Sequence, residues 1–279
     1  MSRRTFERVV FVTLGALAQK IRAAKESILP FGFPELHISA RITANFATQI
    51  GWVAEHITNE TLKRGDGVER SKSHFKEDTN IPEKFRAMLK DYFKSGYDRG
   101  HLVPAGDVKF SQEAMDETFF LTNISPQVGD GFNRDYWSLL EEFCRRLVSK
   151  QGFKDVYVFS GPLYLPKQED DGKWYVKYEV IGQGHNVAVP NHFFKVILAT
   201  RDNQKYALGA FILPNSPIPN SVPLQRHEVP LDVIERAAGL TFFELLDKET
   251  MVPLCIATSC VLVANPKYLQ ERQSVPENS

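Results

Sequence analysis

The chain has 279 residues, 43% of them hydrophobic, which is enough to bury one sizeable core. Lys+Arg and Asp+Glu balance at 34 each and the pI is about 7.1, so no global charge excess marks a nucleic-acid binder or a disordered acidic chain. Its three cysteines, Cys144, Cys255 and Cys260, form no even-numbered disulfide framework and no zinc knuckle, and they read as buried free thiols.

The N-terminus carries Arg3, Arg4 and Arg8 before the apolar run Val9 to Ala18, with Lys20, Arg22 and Lys25 after it. That run is too short to span a bilayer. A secretory signal ending at Ala16-Leu17-Ala18 and a mitochondrial presequence or inner-membrane anchor both fit the pattern. Residues 1–28 are therefore set apart as a targeting or membrane-proximal segment, and the Pro30-Phe31-Gly32-Phe33-Pro34 stretch leads irregularly into a domain over 29–268. Residues 269–279 are polar and read as a mobile tail.

Within the domain, Gly51 to Ile57 reads as a strand, and Gly65-Asp66-Gly67 as a turn followed by Arg70. Residues 61–110 hold eleven Lys/Arg against eight Asp/Glu, which by itself suggests only a solvated mixed-charge face. Ser111 is a suitable N-cap for a helix through Phe119. Apolar residues at 136, 139, 140, 143, 144 and 147 follow a helical period from near Asn133. Further strands are expected over 156–160, 174–181, 192–199, 206–213 and 253–262, with a helix from Leu231 to Ala238 closed by Gly239. Helices among mostly hairpin-length connections point to an α+β fold with an antiparallel sheet.

The stretch Tyr97-Asp98-Arg99-Gly100-His101-Leu102-Val103 carries the chemistry. If it is extended, Arg99 and His101 project from one face while Asp98 and Gly100 lie on the other. A guanidinium can fork onto an anionic phosphate, and a neutral imidazole can take a proton from water at neutral pH. Asn133 at the helix mouth supplies an amide oxygen suited to a hard divalent ion that keeps most of its water. Glu141, eight residues on, lies about 80° round the helix axis and can border the same groove. His37, His56, His74, His185, His192 and His227 stand outside any such pattern and read as structural or surface residues.

Asp98 to His101 and Gly131-Phe132-Asn133-Arg134-Asp135 together resemble the DNA/RNA non-specific endonucleases with a ββα-metal active site, most closely the mitochondrial endonuclease G branch. The likeness continues through Thr122 to Gln127, Gly161 to Lys167 and Val187 to His192, and spans roughly residues 30–262. It implies a central antiparallel sheet flanked by helices, and a sugar-non-specific endonuclease. His101 would be its general base, Arg99 and Glu141 further catalytic residues, Arg70 and Arg99 its phosphate contacts. Asn133 would be its ligand to magnesium or manganese. It also implies DNA and RNA as partners, a homodimer, and a mitochondrial rather than secreted location. Two alternatives remain: a 5′-exonuclease of the sister branch, which carries serine where Asp98 stands and has a C-terminal helical extension, and a catalytically silent nucleic-acid-binding protein. Asn45 to Ile50 departs from the family, which has a serine-tyrosine-aspartate element before the tryptophan matched by Trp52.

Overall fold

Long runs of β-branched and aromatic residues in the second half of the chain have apolar side chains on both faces, the pattern of a sheet covered on both sides. The computed structural model describes residues 9–12, 35–36, 51–184, 187–201 and 206–263. Its principal strands are β1 (Val9–Val12), β2 (Trp52–Ile57), β3 (Asp98–His101), β4 (Ile124–Gln127), β5 (Asp155–Leu163), β6 (His192–Thr200), β7 (Ala207–Pro214) and β8 (Val252–Pro253). The helices used below are α1 (Gln112–Glu117), α2 (Ser138–Ser149), α3 (Leu231–Ala238) and the single turn α4 (Leu254–Ala257).

Six strands form the central sheet in the order β1-β2-β5-β6-β7-β8. Every pair is antiparallel except β7 with β8, which run parallel. Alternation along the strands separates two cores. Val53, Val156, Val158, Phe193 and Ile197 face α2, where they meet Trp137, Leu140, Phe143, Cys144 and Leu147. Trp52, Ala54, Tyr157, Phe159, Phe194 and Val196 face the other way, against Ile234, Ala238, Phe242 and Phe243. The sheet is thus sandwiched, and α2 is pinned to it by its apolar stripe.

Some expectations are corrected. The stretch 253–262 is not one strand: Pro253 ends the two-residue strand β8 and stands at the N-cap of the helical turn α4, which begins at Leu254. That turn folds the chain back on itself, so Cys255 and Cys260 have Cα atoms 5.2 Å apart and form a disulfide, leaving only Cys144 as a buried free thiol among the described residues. The stretch 174–181 is two two-residue strands, pairing with Lys167–Gln168 and Val187–Ala188. Helix α1 stops at Glu117 rather than Phe119, although Ser111 caps it by accepting from the Ala114 N–H.

Val9–Val12, inside the apolar N-terminal run, pairs with β2 as an edge strand. The rest of that leader, the Asn45 to Ile50 departure, His37, His185 and the tail lie outside the described residues.

Candidate active site

The site is a two-stranded hairpin laid against a helix. β3 pairs antiparallel with β4 in the register Asp98↔Gln127, Arg99↔Pro126, Gly100↔Ser125 and His101↔Ile124. The expected alternation holds: Arg99 and His101 line one cleft, while Asp98 turns to the opposite side. Gly100 is where the hairpin closes tightly, because a Cβ there would stand 2.0 Å from Gln127 Oε1. Gln127 is fully buried and has no room to retreat. Gly100→Ala should therefore cost about 2–3 kcal/mol of stability by overpacking, read as a lowered urea midpoint, and should depress activity at all temperatures. An unchanged midpoint would show that the Gln127 side chain is free to move.

The partner segment differs from a plain helix. Gly129–Trp137 is a π-type stretch kinked at Asp130 and Gly131, and regular α-helix begins only at Ser138. Gly131 has φ 79° and packs on Pro217, so close that a Cβ would meet its ring at 2.6 Å. The left-handed φ and the contact both require glycine. Asn133 is consequently not an N-cap. Its amide Nδ2 donates to Asp98 Oδ2 at 2.8 Å, which leaves the amide oxygen for the cleft. Arg134 grips the same carboxylate through both Nε (2.8 Å) and Nη2 (2.6 Å). Asp98, to which the sequence assigned no chemistry, is thus the bolt between β3 and the π-type stretch.

The cleft measures about 580 Å³ and is lined by Arg70, Arg99, His101, Asn133 and Glu141, so all five predicted site residues meet there. Arg64, Lys109, Glu142 and Arg145 also line it. Of these, Arg145 was readable in principle, since it lies one turn beyond Glu141 on the same helix face. Two aromatic rings missed by the sequence reading organise the near wall. Phe75 and Phe119 pack on each other at 5.0 Å, and His101 lies against both, at 5.4 and 4.8 Å between ring centres. The Arg99 guanidinium lies 4.4 Å from the Phe75 ring centre, and that of Arg70 lies 5.2 Å from the Phe119 ring centre. Neither arginine makes an ion pair among the described residues, whereas Arg134 and Arg145 are both tied to carboxylates. Two unpaired guanidinium groups on aromatic rails, facing one cleft, leave their charge available to an incoming anion.

His101 is only 9% exposed and its Nε2 has no hydrogen-bond partner. Burial, and then the nearby Arg70 cation, push its pKa down to about 3. The imidazole is therefore neutral at physiological pH. Because the folded value lies below the unfolded value of about 6.5, the unfolded chain takes up the proton first on acidification. His101 thus lowers stability by about 1.4 kcal/mol per pH unit as pH falls from about 6.5 toward 3. His101→Gln should flatten that part of the profile, visible as wild type minus variant in urea unfolding at several pH values. An unchanged slope would place a protonated imidazole in the fold. Glu141 behaves oppositely: burial pushes its carboxyl up to about 7 against the pull of Lys195 and Arg145.

The donor set fits a hard cation that keeps its water. Among the described residues no group of three His, Cys, Asp or Glu comes together as a metal cage. What the cleft offers is the one oriented amide oxygen of Asn133, with Glu141 lining the same cleft. Three other histidines sit as structural groups. His56 contacts Asp155 at 2.8 Å and stacks on Tyr157, His192 contacts Asn191, and His227 packs edge-on to Tyr136.

Comparison with known proteins agrees with this geometry. Residues 45–249 match the family model for DNA/RNA non-specific endonuclease. Nuclease C1 of Cunninghamella echinulata var. echinulata is 52% identical over 244 residues, covering 85% of this chain and 95% of that protein. The mitochondrial endonuclease G of Caenorhabditis elegans is 51% identical over 201 residues, covering 72% of this chain and 64% of that longer protein. A solved structure of EndoG in complex with EndoGI superposes with a TM-score of 0.73 at 43% identity, covering 81% of this chain and 94% of that one. This chain belongs to the DNA/RNA non-specific endonuclease family and is a metal-dependent nuclease of the ββα-metal type.

Proposed function

We propose that the cleft hydrolyses internal phosphodiester bonds of DNA and RNA, with His101 as general base. The observation that carries this reading is the His101 imidazole in the wall of a cleft that also presents the two unpaired arginines Arg70 and Arg99. Arg99 and Arg70 hold the non-bridging oxygens of the phosphate. The His101 imidazole takes a proton from water as the water oxygen attacks phosphorus, and the bond to the leaving oxygen breaks as the new one forms, that oxygen taking its proton from solvent water. Phosphate seated on Arg70 offsets that cation, one of the two causes that hold His101 down, and so brings the imidazole closer to the range of a working base. Asn133 would hold one magnesium or manganese ion, and Glu141 would orient the water around it. When bound, the ion supplies positive charge to the phosphate and to the leaving oxygen. A cleft that grips phosphates and sugars rather than base edges discriminates little between sequences.

The enzyme acts in mitochondria, in keeping with the endonuclease G relative. Residues 1–28 act as its targeting or membrane-proximal segment and 29–268 as the nuclease domain. No helix among the described residues is long and apolar enough to cross a membrane. A homodimer, implied by the family likeness, would sediment at twice the 31.7 kDa of one chain.

The test is incubation of supercoiled circular plasmid, and separately of structured RNA, with the full chain in magnesium or chelator. Nicking of the circle and cleavage of the RNA, both lost with chelator, are expected. An intact circle beside degraded linear DNA would replace the endonuclease by an exonuclease, and no cleavage of any substrate would leave a silent binding protein.

A further inference from the structure

The turn that carries Arg70 has little of its own to hold it. Arg70–Lys72 is a single 3-10 turn with no buried residue and no side-chain cap from Glu69. What fixes it comes from α1, 43 residues further along the chain. Just before the turn, the Glu69 N–H donates to Gln112 Oε1 at 2.9 Å; just after it, Ser73 Oγ donates to Asp116 Oδ1 at 2.6 Å. Gln112 Nε2 joins the two anchors, donating to Asp116 Oδ1 at 2.8 Å and to Ser73 Oγ at 3.0 Å. Between them, the Ser73 N–H closes the turn on the Arg70 carbonyl at 3.0 Å. Just past the end of α1 comes Phe119, whose ring centre lies 5.2 Å from the Arg70 guanidinium. Backbone and head of Arg70 are thus both held by the stretch 112–119.

We propose that Asp116, acting through Ser73 and Gln112, is a positioning residue for the nuclease: it fixes the turn from which Arg70 reaches substrate phosphate. The hydrogen-bond directions make Asp116 the end of the chain. A backbone N–H can only donate, so the Gln112 amide oxygen faces Glu69 and its NH2 faces Asp116 and Ser73. An ionised carboxylate can only accept, so the Ser73 hydroxyl gives its proton to Asp116 and keeps a lone pair for Gln112. Burial alone would raise the Asp116 carboxyl, but the hydrogen bonds from Ser73 and Gln112, with Lys76 adding to them, hold it below its usual range. It is therefore a constant acceptor at neutral pH. The helix itself gains nothing from this residue. In the last turn a carboxylate opposes the helix dipole, and Asp is a poorer helix former than Ala. What Asp116 serves lies off the helix, on the Arg70 turn.

The proposal rests on the reading of Arg70 as a phosphate contact, and Arg70→Ala tests that reading by itself. It should raise KM for plasmid about tenfold, and lower by about one the slope of log Kd against log salt for a DNA duplex bound in chelator. Wild-type KM and slope in Arg70→Ala would remove the reading and the proposal together. With Arg70 in place, Asp116→Ala and Gln112→Ala should each raise KM by about three- to tenfold and leave kcat within about twofold, as expected for lost ground-state binding. Asp116→Ala should also shed most of the same unit of salt slope, which a weakened helix alone would not do. Asp116→Asn keeps an oxygen for both donors, so KM and slope should return to within about twofold of wild type. Assays are run below each variant's own Tm, which separates loss of fold from loss of position. In the Arg70→Ala background, Asp116→Ala should cost nothing further in kcat/KM. Full additivity in that cycle, wild-type KM and slope in Asp116→Ala, or Asp116→Asn as impaired as Asp116→Ala would each overturn the proposal while leaving Arg70 as a phosphate contact.

Discussion

His101→Ala should lower kcat by about three orders of magnitude while KM changes by less than about threefold. General-base catalysis contributes on the order of 10²- to 10⁴-fold, and among the cleft side chains His101 is the only imidazole, the two carboxyl groups, Glu141 and Glu142, standing on α2 instead. Substrate binding should survive because Arg70 and Arg99 ride on Phe119 and Phe75, neither of which depends on the imidazole for its packing partner. The variant also leaves a small void between those rings, so a modest fall in Tm is expected beside the large fall in rate. Single-turnover cleavage of plasmid at saturating magnesium measures the effect. A loss below tenfold would mean that another group activates the water.

Asp98→Ala should raise the half-saturating magnesium concentration by about 10- to 100-fold and lower stability only slightly. The carboxylate receives the Asn133 amide and both arms of Arg134, so its removal frees the amide to rotate and the oxygen to leave the cleft. Groups that orient a metal ligand commonly matter on that scale. Stability should fall by only about 1 kcal/mol, because the Arg134 side of the pair is 55% exposed even though Asp98 itself is 19% exposed. Asp98→Asn, which keeps one acceptor for the amide, should fall between wild type and alanine. Magnesium titrations of cleavage rate, with urea unfolding alongside, separate the two effects. A parallel loss of stability and activity would make Asp98 a structural brace with no bearing on Asn133.

Arg99, His101, Asn133 and Glu141 were legible because they lie in two short motifs, one of period two and one running into a helix, whereas Arg70 lies in neither and was reached only through the family resemblance. What the sequence hid depends on contacts between distant segments. Phe75 and Phe119 lie on either side of His101 in the chain, and nothing local marks them as its neighbours. Asp98 looked idle because its partners, Asn133 and Arg134, belong to the other motif. The helix mouth was misread as a plain N-terminus because the Gly131 kink is imposed by packing on Pro217, far along the chain. The cysteine pair was missed for a similar reason. Spacing gives no sign of a bridge until the helical turn that begins at Leu254 returns Cys260 to Cys255. Strands of the central sheet were easier, since runs buried on both faces are conspicuous, yet their order and the parallel β7–β8 pair lay beyond local patterns.

The most direct test of the account is a crystal structure of His101→Ala holding a short DNA duplex and manganese. The anomalous signal of the ion should fall beside the Asn133 amide oxygen, with one backbone phosphate between Arg70 and Arg99 and facing the vacated His101 position. An ion bound away from Asn133, or a phosphate backbone running outside the cleft, would contradict it.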